Sequence, residues 1–264
     1  MLAFAAFTPH PLVSIPEIGR DSISKIRQTV RSFRQLSYEL YAAQPDTLIL
    51  ISPHVTPLID AFTINQRPEF VVEFSKYGNL SDRIAFRNDL EFGYKIKESL
   101  ETRIPVSLID DEILDYGTGV TLFHLTRNLK IDKVRVVPIG ISTLPLAQQY
   151  AFGTHINRQI NLTTKRVAVI ASGDLAHGAS RTALTGYNPK AYAFNKYLRT
   201  ALEQQDVQGI LTTLTDNTSQ IVQCGLKPLA VLLGALDQRR SHTKVLSYEA
   251  ALGVGYLTAH FELK

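Results

Sequence analysis

The 264-residue chain has no tryptophan, one cysteine and one methionine. With Cys224 alone, no intrachain disulfide can form, which fits a reducing compartment. Without tryptophan, no indole takes part in binding. No apolar stretch approaches the roughly 20 residues a membrane helix needs, so no membrane partner is expected. The apolar start from Met1 to Phe7 lacks a basic segment and stops at Pro9-His10, so it is expected to be a first strand and not a secretion signal. These absences together lead us to expect a cytoplasmic protein. Charge of one sign is not in large excess either, at net +4. The arginines are dispersed, with Arg27, Arg31 and Arg34 on one expected helix and Arg239 and Arg240 far from them. No basic–aromatic stripe exists, so nucleic acid is not an expected partner. The mild positive excess suits a small anionic substrate.

What is present is the make-up of an ordinary globular protein, 45% hydrophobic and 20% charged. Ile23, Ile26, Val30, Phe33, Leu36 and Leu40 recur at steps of three and four, which predicts an amphipathic helix. Residues 47–51, 134–141 and 166–171 are short continuous apolar runs of the kind buried on both faces. Further strands are expected at 61–65, 106–109, 244–250 and 255–261. Helices are expected near 89–102, 117–129, 146–162, 191–203 and 219–236, with a polar, turn-rich stretch around Tyr77-Gly78-Asn79. The alternation predicts an α/β fold, a mainly parallel mixed sheet flanked by helices on both faces, in a single domain spanning residues 1–264.

Three histidines follow expected strands: His10 in Thr8-Pro9-His10, His54 in Ser52-Pro53-His54, and His177 in Ser172-Gly173-Asp174-Leu175-Ala176-His177. If those strands are parallel, all three reach the carboxyl rim of one sheet, where open α/β folds keep their ligands. Two imidazoles and a carboxylate make a facial set that suits non-haem Fe(II). Glu249, in an apolar strand where an unpaired carboxylate is costly, is the candidate third ligand. His177 fits a general base or a further ligand. Asp174 is expected to cap the turn after its strand, with a place beside the substrate or behind the metal ligands as the other reading. Cys224 reads as a packing residue on an apolar helix, and Gly117-Thr118-Gly119 is not a phosphate loop.

With these segments and Tyr248-Glu249 in view, the chain resembles the class III extradiol ring-cleavage dioxygenases, catalytic (β) subunit type. It is similar to the branch near Memo-like and AMMECR-associated proteins. The resemblance implies Fe(II), with zinc as the alternative, held by His10, His54 and Glu249, and His177 as the catalytic acid/base. It implies O₂ and a catechol-like or aminophenol-like aromatic substrate, and a homodimer or an α-type partner subunit. The family often has Asp-His-Gly where this chain has Asp115-Tyr116-Gly117, which makes Tyr116 a substrate-side residue and His124 a candidate to compensate. Related sequences also tend to carry Asp where Asn195 stands. The alternative implied is a non-catalytic Memo-like metal-binding or interaction protein on the same fold.

Overall fold

In this computed structural model, residues 1–55, 58, 60–184, 186–213 and 220–264 are described. In chain order the first elements are β1 (Leu2–Thr8), α1 (Pro16–Gly19), α2 (Arg27–Ala43), β2 (Thr47–Ser52) and β3 (Phe62–Asn65). Then come β4 (Glu69–Phe74), β5 (Asn79–Asn88), α3 (Leu90–Glu98), β6 (Val106–Ile109), α4 (Tyr116–Leu125) and β7 (Arg135–Gly140). The chain continues through α5 (Leu146–Leu162), β8 (Val167–Ser172), α6 (Pro189–Glu203), α7 (Val207–Thr213), α8 (Leu226–Ala235), β9 (Ser241–Glu249) and β10 (Tyr256–Leu263).

Alternation along the central strands builds the core. In β2, Leu48 and Leu50 enter one apolar cluster while Ile49 and Ile51 enter the other. The same split separates Phe4 and Ala6 from Ala5 and Phe7 in β1, and Ala168 and Ile170 from Val169 and Ala171 in β8. A period of two with both phases apolar is the pattern of a strand covered on both sides. One face is covered by α2, α4 and the β4–β5 hairpin, the other by α3, α5, α6 and α8.

The sheet runs in the order β4-β5-β7-β2-β8-β1-β10-β9. From β5 to β1 every neighbour is parallel, and β4, β10 and β9 add antiparallel edges. The outer edge of β7 is shared, with β5 pairing its beginning and β3 its end. The expected fold is therefore observed: a mainly parallel mixed sheet between two helical layers. Three local expectations change. The turn-rich stretch at Tyr77 is the tip of a hairpin, because Gly78 in a left-handed conformation closes β4 onto β5. Residues 20–26 form 3-10 turns before α2 instead of its first turns. Helix α8 starts at Leu226, so Cys224 lies in the turn before it; the expected start at Ser219 lies outside the described residues.

Candidate metal centre

Each Pro-His pair ends its strand for the same reason. Thr8 O still accepts from Gly173 N (2.9 Å) and Ser52 O from Ile141 N (3.2 Å). Proline then offers no N–H to continue the ladder, and the chain leaves the sheet with a histidine at its rim. Because β1 and β2 both pair in parallel with β8, His10 and His54 leave on the same side. Their Nε2 atoms lie 3.0 Å apart.

His10 is buried, and its partners fix its tautomer. Its backbone N–H donates to Asp174 Oδ1 (2.9 Å), and its Nδ1 lies 2.9 Å from Ser172 Oγ. Ser172 Oγ donates its own hydrogen to Gly117 O and accepts from Thr121 Oγ1. The remaining partner is thus His10 Nδ1–H, which leaves Nε2 as a bare lone pair facing His54. Gly117 makes this approach feasible, since a Cβ there would meet His10 Nδ1 at 3.2 Å and Ser52 Oγ at 3.1 Å. Burial pulls His10 down to about 4, with Asp115 opposing. Burial, then the nearby His10, pulls His54 to about 4 as well. Both rings are therefore neutral near pH 7, the state in which imidazole binds metal.

The third donor is one the sequence reading assigned to packing. Cys224 Sγ lies 3.5 Å from His10 Nε2, and the donor atoms of His10, His54 and Cys224 all fall within 4.8 Å of one another. The turn carrying the cysteine is tied to the end of β8: Asp174 O accepts from Cys224 N and Gly225 N, and Asp174 N donates to Cys224 Sγ at 3.2 Å. Burial first, and Asp174 next, push the thiol up to about 12. The two Nε2 atoms, 3.0 Å apart, are joined by a hydrogen bond in the absence of metal, and two bonds of about 2.1 Å to one ion also span that gap. With a sulfur beside them the donor set fits a metal ion.

Glu249 lies on the same rim, with its carboxylate accepting from Thr29 N (2.7 Å), Thr29 Oγ1 (2.8 Å) and Gln28 N (3.3 Å) at the start of α2. Ile26, the N-cap position of α2, has no side-chain acceptor, and Glu249 supplies it from another element. Asp174 does not cap the following turn; it anchors His10 and the Cys224 turn, and burial raises its carboxyl to about 6. His124 does not join the group either. It stacks on Phe33 (4.5 Å, 7°), and its Nε2 lies 2.9 Å from Ser14 Oγ.

His177 stands at the edge of the cluster, close enough to act electrostatically on both His10 and Asp174. Its segment is clamped by Asn195, whose Oδ1 accepts from Ala176 N (2.8 Å) and whose Nδ2 donates to Ala176 O (3.3 Å). An Asp at 195 could not make the second bond. On the other side, Tyr116 opens α4 behind its cap Asp115, and its Oη lies 2.8 Å from His54 Nε2. A cleft of about 230 Å³ adjoins His54 and Tyr116, with Lys76, Tyr77 and Asp111 on its other walls.

Residues 4–259 match the family model described as the catalytic LigB subunit of aromatic ring-opening dioxygenase. The chain belongs to this family. It is 29% identical to Protein CA_C1420 of Clostridium acetobutylicum over 94% of this chain and 55% of that protein. It is 26% identical to a 2,3-dihydroxyphenylpropionate/2,3-dihydroxicinnamic acid 1,2-dioxygenase of Mycobacterium sp. (strain MCS) over 67% of this chain and 56% of that enzyme. The chain thus spans about half the length of these curated relatives. Its fold is similar to the crystal structure of the uncharacterized protein JW3007 from Escherichia coli, at TM-score 0.67 and 17% identity, covering 98% of this chain and 99% of that one. Among the described residues, no helix is long and apolar enough to cross a membrane.

Proposed function

We propose that this protein is a metal-dependent dioxygenase that opens a catechol-like or aminophenol-like ring with O₂. Family membership supports the class of reaction, and the facing Nε2 atoms of His10 and His54, 3.0 Å apart, carry the assignment of the site. His10, His54 and Cys224 would hold Fe(II), with zinc as the alternative. When bound, the ion would supply the electron path between diol and O₂ that no side chain here provides. The chain's own residues do the rest. Ser172 sets His10 in the ligating tautomer, and Asp174 holds its backbone. The cleft beside Tyr116 receives the ring, and the Tyr116 hydroxyl, near the substrate oxygens, orients them by hydrogen bonding. His177, close enough to act electrostatically on Asp174, takes and returns the substrate proton.

A second reading has its own observation. Cys224 stands beside the histidines, and a thiolate is a softer ligand that also favours zinc or copper. This supports a Memo-like metal-binding protein without ring cleavage. One experiment separates the two: purify the protein without air, assay iron and zinc, then admit O₂ with a panel of catechols and aminophenols. Near-stoichiometric iron with oxygen uptake and a ring-opened product supports the dioxygenase. Bound metal with no uptake across the panel leaves the second reading, and no bound metal rejects both.

A further inference from the structure

His54 Nε2 is the point on which two groups converge. His10 Nε2 faces it at 3.0 Å, and Tyr116 Oη at 2.8 Å. The phenol is not there by chance of a loose rotamer. Asp115 caps α4 through Thr118 N (3.0 Å) and also accepts from Ser52 Oγ (2.6 Å), so the first turn of the helix is fastened to the end of the strand that carries His54. The Tyr116 ring lies flat on the His54 imidazole (4.5 Å, 25°) and edge-on to His10 (5.3 Å, 87°). Tyr77 closes the outer side at 5.8 Å.

An imidazole nitrogen that binds metal does so through its one lone pair, and Tyr116 Oη lies 2.8 Å from His54 Nε2. A cation bound at His54 Nε2 therefore lies within reach of the phenol oxygen. We propose that Tyr116 Oη is a fourth donor to the ion held by His10, His54 and Cys224. The oxygen binds through its own lone pair while its hydrogen turns to solvent; no covalent bond breaks, and nothing is oxidised or reduced. Four donors close a tetrahedral centre, whereas catalytic centres keep one position open. Tyr116 thereby holds the resting centre shut. A ligand with two adjacent oxygens, as an aromatic diol has, displaces it from the ion, and the freed hydroxyl then hydrogen-bonds the bound oxygens. The inference rests on the metal site proposed above and adds its regulation.

Zinc alone is the probe. A zinc-bound crystal structure of the wild-type protein is expected to place Tyr116 Oη at about 2.0–2.2 Å from the ion. By chelator competition, Tyr116→Phe, which keeps the ring stack, should bind zinc at least about tenfold more weakly. His10→Ala should abolish binding. An oxygen beyond about 3 Å, or unchanged affinity in Tyr116→Phe, overturns the fourth donor and leaves the three-donor site standing. Failure of the wild-type protein to bind zinc at all removes the site itself, and this proposal with it.

Discussion

At the start of α2 the amides of Gln28 and Thr29 have no acceptor in their own helix, and the Glu249 carboxylate fills that gap from β9. Such caps contribute about 1 kcal/mol, so Glu249→Ala should lower unfolding stability by about that much and leave metal content unchanged. Cys224→Ser should do the reverse, keeping the stability of the metal-free protein and losing most of the metal. Elemental analysis beside urea unfolding reads both, and loss of metal in Glu249→Ala would restore it to the ligand set. His10 and His54 were legible in sequence because proline fixes where each strand stops. That Cys224 faces them while Glu249 turns to α2 was not, since it depends on which way a rim side chain turns, and residue type does not encode that. His124 allows a test by pH. Burial holds its folded value at about 3 against an ordinary 6.5, so between these values the unfolded chain binds a proton that the folded one refuses. Its contribution is full above pH 6.5 and is lost as pH falls, by about 1.4 kcal/mol per pH unit. Asp174, raised to about 6, acts in the opposite sense, since its folded carboxyl keeps a proton between its ordinary value and 6. Urea titrations of metal-free protein between about pH 6 and 4 should show a shallower loss of stability in His124→Phe, by about 1 kcal/mol per unit. Equal slopes in the two proteins would show that His124 is not held neutral in the fold.

Among the elements, the strands with apolar residues in both phases and the long helix α5 were readable from periodicity, because burial on known faces leaves a pattern. The β4–β5 hairpin was not. Its second strand groups polar Ser81 to Arg83 and then apolar Ile84 to Phe86 with no period of two, and its turn residues dominate the local signal. This matters for the site, since the hairpin tip supplies Tyr77 and Lys76 to the cleft. The turn before α8 was missed for a different reason: its place depends on two backbones touching. A Cβ on Gly173 would meet Gly225 Cα at 2.3 Å, and one on Gly225 would meet Asp174 O at 2.9 Å. Backbone cannot yield as a flexible side chain does, so Gly173→Ala must push the Cys224 turn off the end of β8. Zinc affinity by chelator competition should then fall about tenfold or more, while the strand that carries His54 is untouched. Unchanged affinity in a folded Gly173→Ala protein would mean that the cysteine is not a donor.

Across the whole molecule the three donors arrive from distant parts of the chain, at positions 10, 54 and 224. They meet only because β8 pairs with both β1 and β2 and its end also anchors the Cys224 turn. The unfolded chain cannot reproduce that meeting, so metal binds the folded state almost alone, and its binding free energy becomes folding free energy. At zinc a hundredfold above its dissociation constant, the gain is about 2.7 kcal/mol. For a protein of this size each kilocalorie moves the melting temperature by about 2–4 °C, so the expected rise is about 5–10 °C. A scan at several zinc concentrations should therefore show a melting temperature that climbs with the logarithm of free metal. The three variants His10→Ala, His54→Ala and Cys224→Ser should each flatten that climb, since losing any one donor opens the centre. Glu249→Ala should start from a lower melting temperature and climb as steeply as the wild type. A climb that survives in His10→Ala would place the ion elsewhere on the protein. A flat response in the wild type would mean that the two Pro-His strand ends meet without holding a metal.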